Sequence, residues 1–309
     1  MQPEYDIFVP GDYFFDLIYT GLPEFPVLGR EIYCQGLETT GGALFITATA
    51  LHRLGVKVAW SSSFGTDSYS QFVRQLAVDE GLDLRYARDL DRPYRRISTA
   101  LPYQGERAFV SYVDPVSPDQ DDYWLALMQT CNFRHLHLGA VLSNSRLERM
   151  VRAARARGAT ISMDCQDMPD LYNICTWRDL LGMIDLFIPN AREAMQITGT
   201  TAVQSAIETL MEWVKVVVIK DGANGAWLGY GGQVHHSPAI DVGPVLDTTG
   251  AGDSFNAGFL YGWIIEGAPF EVCARYGNIC GGISVTAVGG ATAAPTRATL
   301  KEWDARLAR

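Results

Sequence analysis

The chain has 309 residues, 48% hydrophobic and 19% charged, enough for a sizeable core and too apolar for disorder or a collagen-like repeat. Its net charge of −10 argues against a nucleic-acid or anionic-membrane binder, which needs positive surface, but leaves room for an anion held in a local pocket. No stretch approaches the apolar run of a membrane span, and MQPEYDIFVPGD is acidic where a secretory leader is basic. The six cysteines (Cys34, Cys131, Cys165, Cys175, Cys273 and Cys280) show no CxxC spacing, so reduced thiols and a cytoplasmic location are expected.

In chain order, residues 6–10 read as a strand, and 21–38 are rich in Gly and Pro with no helical period. Residues 42–54 read as a helix, 56–61 as a strand and 69–79 as a helix. Residues 96–113 alternate around Gln104-Gly105-Glu106 as a strand pair does. Strands follow at 135–138, 160–163, 186–188, 216–220 and 226–229, and helices at 144–157, 191–198, 202–213, 253–265 and 270–285. Buried strands alternating with helices mean βαβ units and a mostly parallel sheet covered on both faces, an α/β architecture that binds ligands beyond the carboxyl ends of its strands. The two extended pieces that break the alternation, near 12–40 and 95–114, predict a small β lid over that end of a single domain spanning 1–309.

The strongest motif is Asp247-Thr248-Thr249-Gly250-Ala251-Gly252-Asp253-Ser254-Phe255, which opens a long apolar helix. Gly250 and Gly252 let the backbone approach a ligand closely. The first helical N–H groups lack internal partners and lie at the positive end of the helix dipole, which suits a phosphate. Asp253 adds a carboxylate that simple phosphate binding does not need and phosphoryl transfer to a hydroxyl does. Read by itself, it is equally an ordinary acid in a first turn.

This block, DTTGAGDSFNAGF, resembles the second signature of the ribokinase-like sugar kinases, the PfkB carbohydrate kinase family. Gly41-Gly42-Ala43, with the helix ending Leu51-His52-Arg53-Leu54-Gly55 and the later Gly65-Thr66-Asp67, resembles the first signature. Pro189-Asn190-Ala191-Arg192-Glu193 is similar to its N-x-x-E motif, and Lys220-Asp221-Gly222-Ala223-Asn224-Gly225 to its strand-end G-x-x-G. The blocks occur in the family's order along nearly the whole chain. The resemblance implies a ribokinase-like three-layer sandwich with a small β-sheet lid and an ATP-dependent, Mg2+-assisted transfer to a primary hydroxyl of a small sugar or sugar acid.

By the same resemblance, Asp253 is the general base, and the amides of Gly250, Ala251, Gly252 and Asp253 form the anion hole. Asn190 and Glu193 organise Mg2+ and phosphates through water, Lys220 neutralises phosphate charge, Gly222 and Gly225 leave room for the nucleotide, and Asn278 flanks its base. Asp12, Asp16, Gly41 and Gly42 face the acceptor, with Arg96 and Arg107 from the lid meeting an acidic or phosphorylated one. Backbone groups of Asp247 and Thr249 help hold a monovalent cation such as K+ beside the hole, as in some relatives, and the lid pairs two copies in a homodimer, with a small-molecule sugar as the other partner. One departure stands out: relatives carry asparagine four positions after the second glycine, where this chain has Ile46. The acceptor side is therefore more apolar than usual, which keeps a nucleoside kinase in view as the alternative on this fold, beside a non-catalytic sugar or nucleotide sensor and a nicotinamide oxidoreductase. His135 and His137 alternate on a strand, His235-His236 reads as a loop, and no Cys or carboxylate cluster completes a zinc set. Arg146, Arg149, Arg152, Arg155 and Arg157 read as a solvated helix face.

Overall fold

Strand β1 (Tyr5–Pro10) sends Ile7 and Val9 into one apolar core and Tyr5 and Phe8 into another, the mark of a strand covered on both faces. The computed structural model describes residues 3–104, 106–166 and 176–307. Gly105 and Cys175 lie outside the described residues. The remaining strands are β2 (Tyr13–Thr20), β3 (Gly36–Ala43), β4 (Val58–Ser61), β5 (Ser63–Phe64), β6 (Arg88–Asp89), β7 (Arg96–Tyr103) and β8 (Glu106–Val113), followed by β9 (Phe133–Leu138), β10 (Thr160–Asp164), β11 (Leu186–Ile188), β12 (Val216–Lys220), β13 (Ala226–Tyr230) and β14 (Gln233–Ser237). Helices are α1 (Leu44–Arg53), α2 (Ser68–Asp79), α3 (Gln120–Thr130), α4 (Asn144–Arg155), α5 (Trp177–Leu181), α6 (Ala191–Thr198), α7 (Val203–Met211), α8 (Ala251–Leu260), α9 (Phe270–Ser284) and α10 (Arg297–Leu307).

Eight strands form the central sheet in the order β14-β13-β12-β11-β10-β9-β1-β4. The pairs from β12 through β4 are parallel, and β13 and β14 add an antiparallel edge. The alternation seen in β1 recurs in β12, where Val216 and Val218 face one core and Val217 and Ile219 the other. Helices α1, α8 and α9 fill the first side, and α3, α4, α6 and α7 the second. This is the expected three-layer α/β sandwich. A separate antiparallel and parallel sheet, β3-β2-β7-β8, is the lid, built from the two extended pieces read in the sequence.

Asp16 lies within β2, a strand the sequence reading did not single out, and is paired with Thr40 of β3. One expectation needs correction. His235 and His236 belong to β14, paired with Leu228 and Trp227, because an edge strand tolerates polar residues on its solvent side. Helices α3, α5 and α10 were not read from the sequence: α5 is one short turn that buries Trp177, Leu180 and Leu181, and α10 fully buries only Leu300. His135 and His137 are core residues with no exposure, bonded to Thr160 and Ser162. The arginines of α4 lie outward, in ion pairs such as Arg146 with Asp121 at 2.6 Å. Among the described residues, Cys34, Cys131, Cys273 and Cys280 are free thiols, and no helix is long and apolar enough to cross a membrane.

Candidate active site

Six segments converge beyond the carboxyl ends of the strands: the lid strands β2 and β3, the start of α1, the ends of β10 and β12, and the N-terminus of α8. Gly250 precedes α8 with φ of 70°, a left-handed conformation that favours glycine. A Cβ there would meet the Gly290 backbone and Ile46 Cδ1 at about 2.9 Å. Gly252 faces Lys220: a Cβ on it would lie 3.3 Å from Nζ. The motif's glycines thus bring a helix start against both a loop and a lysine. Geometry leaves its first-turn amides without intrahelical acceptors, although Ala251 N–H makes a long bond, 3.3 Å, to the Thr248 carbonyl.

Asp253 sits in that first turn. Its Oδ1 accepts a 2.6 Å hydrogen bond from Thr47 Oγ1 of α1. Burial raises its carboxyl to about 6, offset by the Thr47 bond; nearby Asp164 raises it further and Lys220 lowers it. A carboxylate poised at that value is ionised at neutral pH and basic enough to take a proton from a hydroxyl.

Asp16 faces the same space from the lid side. It is buried, and burial together with the charges of Asp253 and Asp247 pushes it up to about 7. Gly42 makes room for it, because a Cβ at that position would overlap the Asp16 carboxylate. Gly41 likewise makes room for the ring of Phe45. The glycine pair therefore shapes the packing around the acceptor end.

Lys220 Nζ lies 2.8 Å from both oxygens of Asp164, at the end of β10, and 3.3 Å from Asn256 Oδ1. Asn256 Nδ2 donates to the same carboxylate at 2.5 Å. Thr47, Asp164 and Asn256 were missed in the sequence. Asp164 carried a signal, since it directly follows an expected strand, and Thr47 stands one residue after the anomalous Ile46.

Asn190 and Glu193 form a capping box on α6: Asn190 Oδ1 accepts from Glu193 N–H at 2.9 Å, and Glu193 Oε2 accepts from Asn190 N–H at 2.8 Å. Asn190 also forms a parallel backbone bridge to Lys220 just past the ends of the neighbouring strands β11 and β12, so the pair stands beside the anion hole. Among the described residues no three His, Cys, Asp or Glu side chains converge to hold a metal. The Glu193 carboxylate and Asn190 amide oxygen suit Mg2+, which keeps much of its water and binds through one or two carboxylates together with substrate phosphates.

Other expected residues have different partners. Asp12 accepts from Ser63 N–H at 3.0 Å and Tyr94 OH at 2.6 Å and lies 3.7 Å from Arg96. Arg96 also donates to the Tyr13 carbonyl at 3.2 Å. These contacts tie the lid to the core. Asn278 spends its amide on Ser237 and Pro238 at 2.9–3.1 Å, clamping α9 to the sheet edge. Gly222 borders open space, whereas Gly225, with φ of 92°, allows close approach of Ser237 and Ala239. Arg107 Nη1 reaches Thr249 Oγ1 at 2.9 Å and lies 3.6 Å from Asp247 Oδ1. Ile46 is 2% exposed, packed on Gly250 and Gly290.

Comparison with known proteins adds the following. The pfkB family carbohydrate kinase profile matches residues 35–297. A fructokinase of Escherichia coli is 30% identical over 96% of this chain and 98% of its own. A cytidine kinase of Thermococcus kodakarensis is 40% identical over 80% of this chain and 88% of its own. The crystal structure of a putative ribokinase II from E. coli in complex with ATP and Mg2+ superposes with a TM-score of 0.78, covering 98% of this chain and 99% of that one at 21% identity.

Proposed function

The chain belongs to the pfkB family of carbohydrate kinases, and on that premise we propose that it moves the γ-phosphoryl group of ATP to a primary hydroxyl of a small sugar or sugar acid. The observation that carries this reading is the Asp253 carboxylate, fixed by Thr47 at the positive end of α8 and flanked by Asp16 and the Lys220–Asp164 pair.

The acceptor hydroxyl hydrogen-bonds to Asp253. As its oxygen bonds to the γ-phosphorus, the proton passes to Asp253 and the bond from phosphorus to the ADP oxygen breaks. Charge on the transferring group falls among the first-turn amides of α8, where preorganised donors are worth most. Lys220 contributes positive charge next to Gly252. Asp16, half-protonated near neutral pH at its value of about 7, both donates to and accepts from acceptor hydroxyls. Mg2+, when bound, neutralises phosphate charge; Asn190 and Glu193 would hold it through water. The resemblance also implied K+ beside Asp247 and Thr249. Backbone groups of the two would hold it; the Asp247 side chain is engaged within the loop, its Oδ1 accepting from Thr249 N–H and Oγ1 and its Oδ2 from Gly289 N–H, all at 2.7–2.9 Å.

The 40% identity to a cytidine kinase and the apolar Ile46 favour a second reading, a nucleoside acceptor. An ADP-release screen across ketoses, aldoses, sugar acids and nucleosides decides between them. Turnover of a sugar or sugar acid is expected; turnover of nucleosides alone would overturn the proposal in favour of the second reading, and a nucleotide-binding chain that turns over nothing would be a sensor. The cysteines and the substrate class fit the cytoplasm. The edge strand β8 exposes apolar side chains on both of its faces, Phe109, Val110, Tyr112 and Val113, and its unpaired edge suits pairing of two copies through the lid; light scattering is expected to give a dimer mass.

A further inference from the structure

The turn that opens the anion hole leans on a segment held from the far end of α1. Gly290 lies against Gly250 backbone to backbone: a Cβ at Gly250 would stand 2.8 Å from Gly290 Cα, and one at Gly290 would stand 3.3 Å from Gly250 Cα. Gly289 N–H donates to Asp247 Oδ2 at 2.9 Å. The two backbones touch directly and Ile46 Cδ1 packs on both, so a shift of residues 289–290 either moves the turn or opens a gap beside it. Beyond them the chain makes two short turns, Thr292 N–H to the Gly289 carbonyl at 3.0 Å and Ala294 N–H to the Ala291 carbonyl at 3.2 Å. The carbonyls of Ala291, Thr292 and Ala294 converge on one atom, Arg53 Nη1, at 2.8, 3.2 and 3.1 Å. Arg53 ends α1. Its Nε and Nη2 grip both carboxylate oxygens of Glu80, just past the end of α2.

We propose that Arg53 is a positioning residue for phosphoryl transfer: it holds the carbonyls of residues 291–294 and through them keeps residues 289–290 against Gly250 and Asp247, which fixes the direction of the anion-hole amides. The planar guanidinium suits the task, because Glu80 occupies one edge and leaves Nη1 to face the carbonyls. Ala291 and Ala294 are buried, where a carbonyl that loses its donor is costly. Helix α1 thereby serves the site at both ends. Thr47 in its first turn bonds Asp253, and Arg53 in its last backs the hole. Donors stabilise developing charge only when aimed at it, and a misplacement of about 1 Å can cost about 10²-fold in rate. The inference rests on the kinase reading above, and one of its two readouts needs no turnover, so the two can fail separately.

Steady-state kinetics and amide hydrogen exchange are measured on the wild type, Arg53→Met, Arg53→Lys and Glu80→Gln, at a temperature where circular dichroism shows each fully folded. Arg53→Met should lose about tenfold or more in kcat, with acceptor KM changed by less than about threefold. Its amides at 247–254 should exchange faster together with those at 285–294. Glu80→Gln weakens the ion pair and leaves the carbonyl contacts, so it should lower the unfolding temperature yet keep wild-type kcat and wild-type exchange at 247–254. Arg53→Lys, whose ammonium still offers three donors, should recover most of the lost rate. Gly290→Ala wedges a methyl against Gly250 with Arg53 intact and should lower kcat by a similar factor, which keeps the test decisive if Arg53→Met does not fold. Wild-type kcat in folded Arg53→Met or in Gly290→Ala would overturn the proposal. So would faster exchange confined to 285–294, or equal losses of kcat in Arg53→Met and Glu80→Gln, the mark of a purely structural ion pair. A wild type that turns over no acceptor would sink the kinase reading instead, and exchange at 247–254 would still decide whether Arg53 sets the turn.

Discussion

Thr47 Oγ1 donates to Asp253 Oδ1 at 2.6 Å across 206 positions of sequence, joining the helix of the Gly-Gly block to the helix of the anion hole. The bond favours the ionised carboxyl and opposes the burial that raises it to about 6. Thr47→Val keeps the shape and removes the donor. The acid limb of kcat/KM should move up by about one pH unit, and activity at pH 6 should fall further than at pH 8. Thr47→Ser should restore the wild-type profile.

Gly42 and Asp16 form a second pair that one substitution uncouples. A Cβ at position 42 overlaps the Asp16 carboxylate, so Gly42→Ala must displace it. Acceptor KM is expected to rise by about tenfold or more while ATP KM changes little. Asp16→Asn should give the same split, because both act on the acceptor end. Separate saturation curves for the two substrates check this.

Lys220 and Asp164 are each 13% exposed at the side chain and 2.8 Å apart. Lys220→Met leaves Asp164 and Asn256 around an uncompensated buried charge, which typically costs about 3–5 kcal/mol. Urea unfolding should show that loss, and the double variant with Asp164→Asn should recover part of it. An unchanged midpoint for Lys220→Met would mean that the pair is solvated.

Ile46 stands where relatives carry asparagine, and it is packed against Gly250 and Gly290. Ile46→Asn buries an amide at a site shaped for an aliphatic side chain, which costs about 1–3 kcal/mol. The variant is expected to lose stability by thermal unfolding and to gain no turnover of new acceptors.

Much of this was legible because it is periodic or punctuated. The alternation of β12, Val216 to Ile219, writes a two-faced strand directly into sequence, and Gly250 and Gly252 mark a helix start that needs bare backbone. What stayed hidden depends on partners far along the chain. Thr47 looks like any helical threonine until Asp253 is brought to it. Asn190 and Glu193 show the spacing of a ligand pair and of a capping box alike, and the structure engages them in the box. Arg107 alternates in a hairpin whose docking onto Thr249 no local pattern encodes. Strand β2, YFFDLIYT, was not recognised because its apolar residues do not alternate cleanly and its buried Asp16 reads as a turn.

The most direct test is Asp253→Asn, with kcat for the best acceptor and ATP affinity measured side by side. Loss of the base should lower kcat by about 10²–10⁴-fold while ATP still binds. A stability measurement supports the interpretation. Burial raises the carboxyl to about 6, so the folded chain holds that proton more tightly than the unfolded one; the ionised group therefore costs stability above that pH and not below about 4. Asp253→Asn should thus unfold at a higher temperature than the wild type at pH 8, with the gap closing in acid. A variant that binds ATP and phosphorylates its acceptor at the wild-type rate would contradict the assignment of Asp253 as the group that takes the proton.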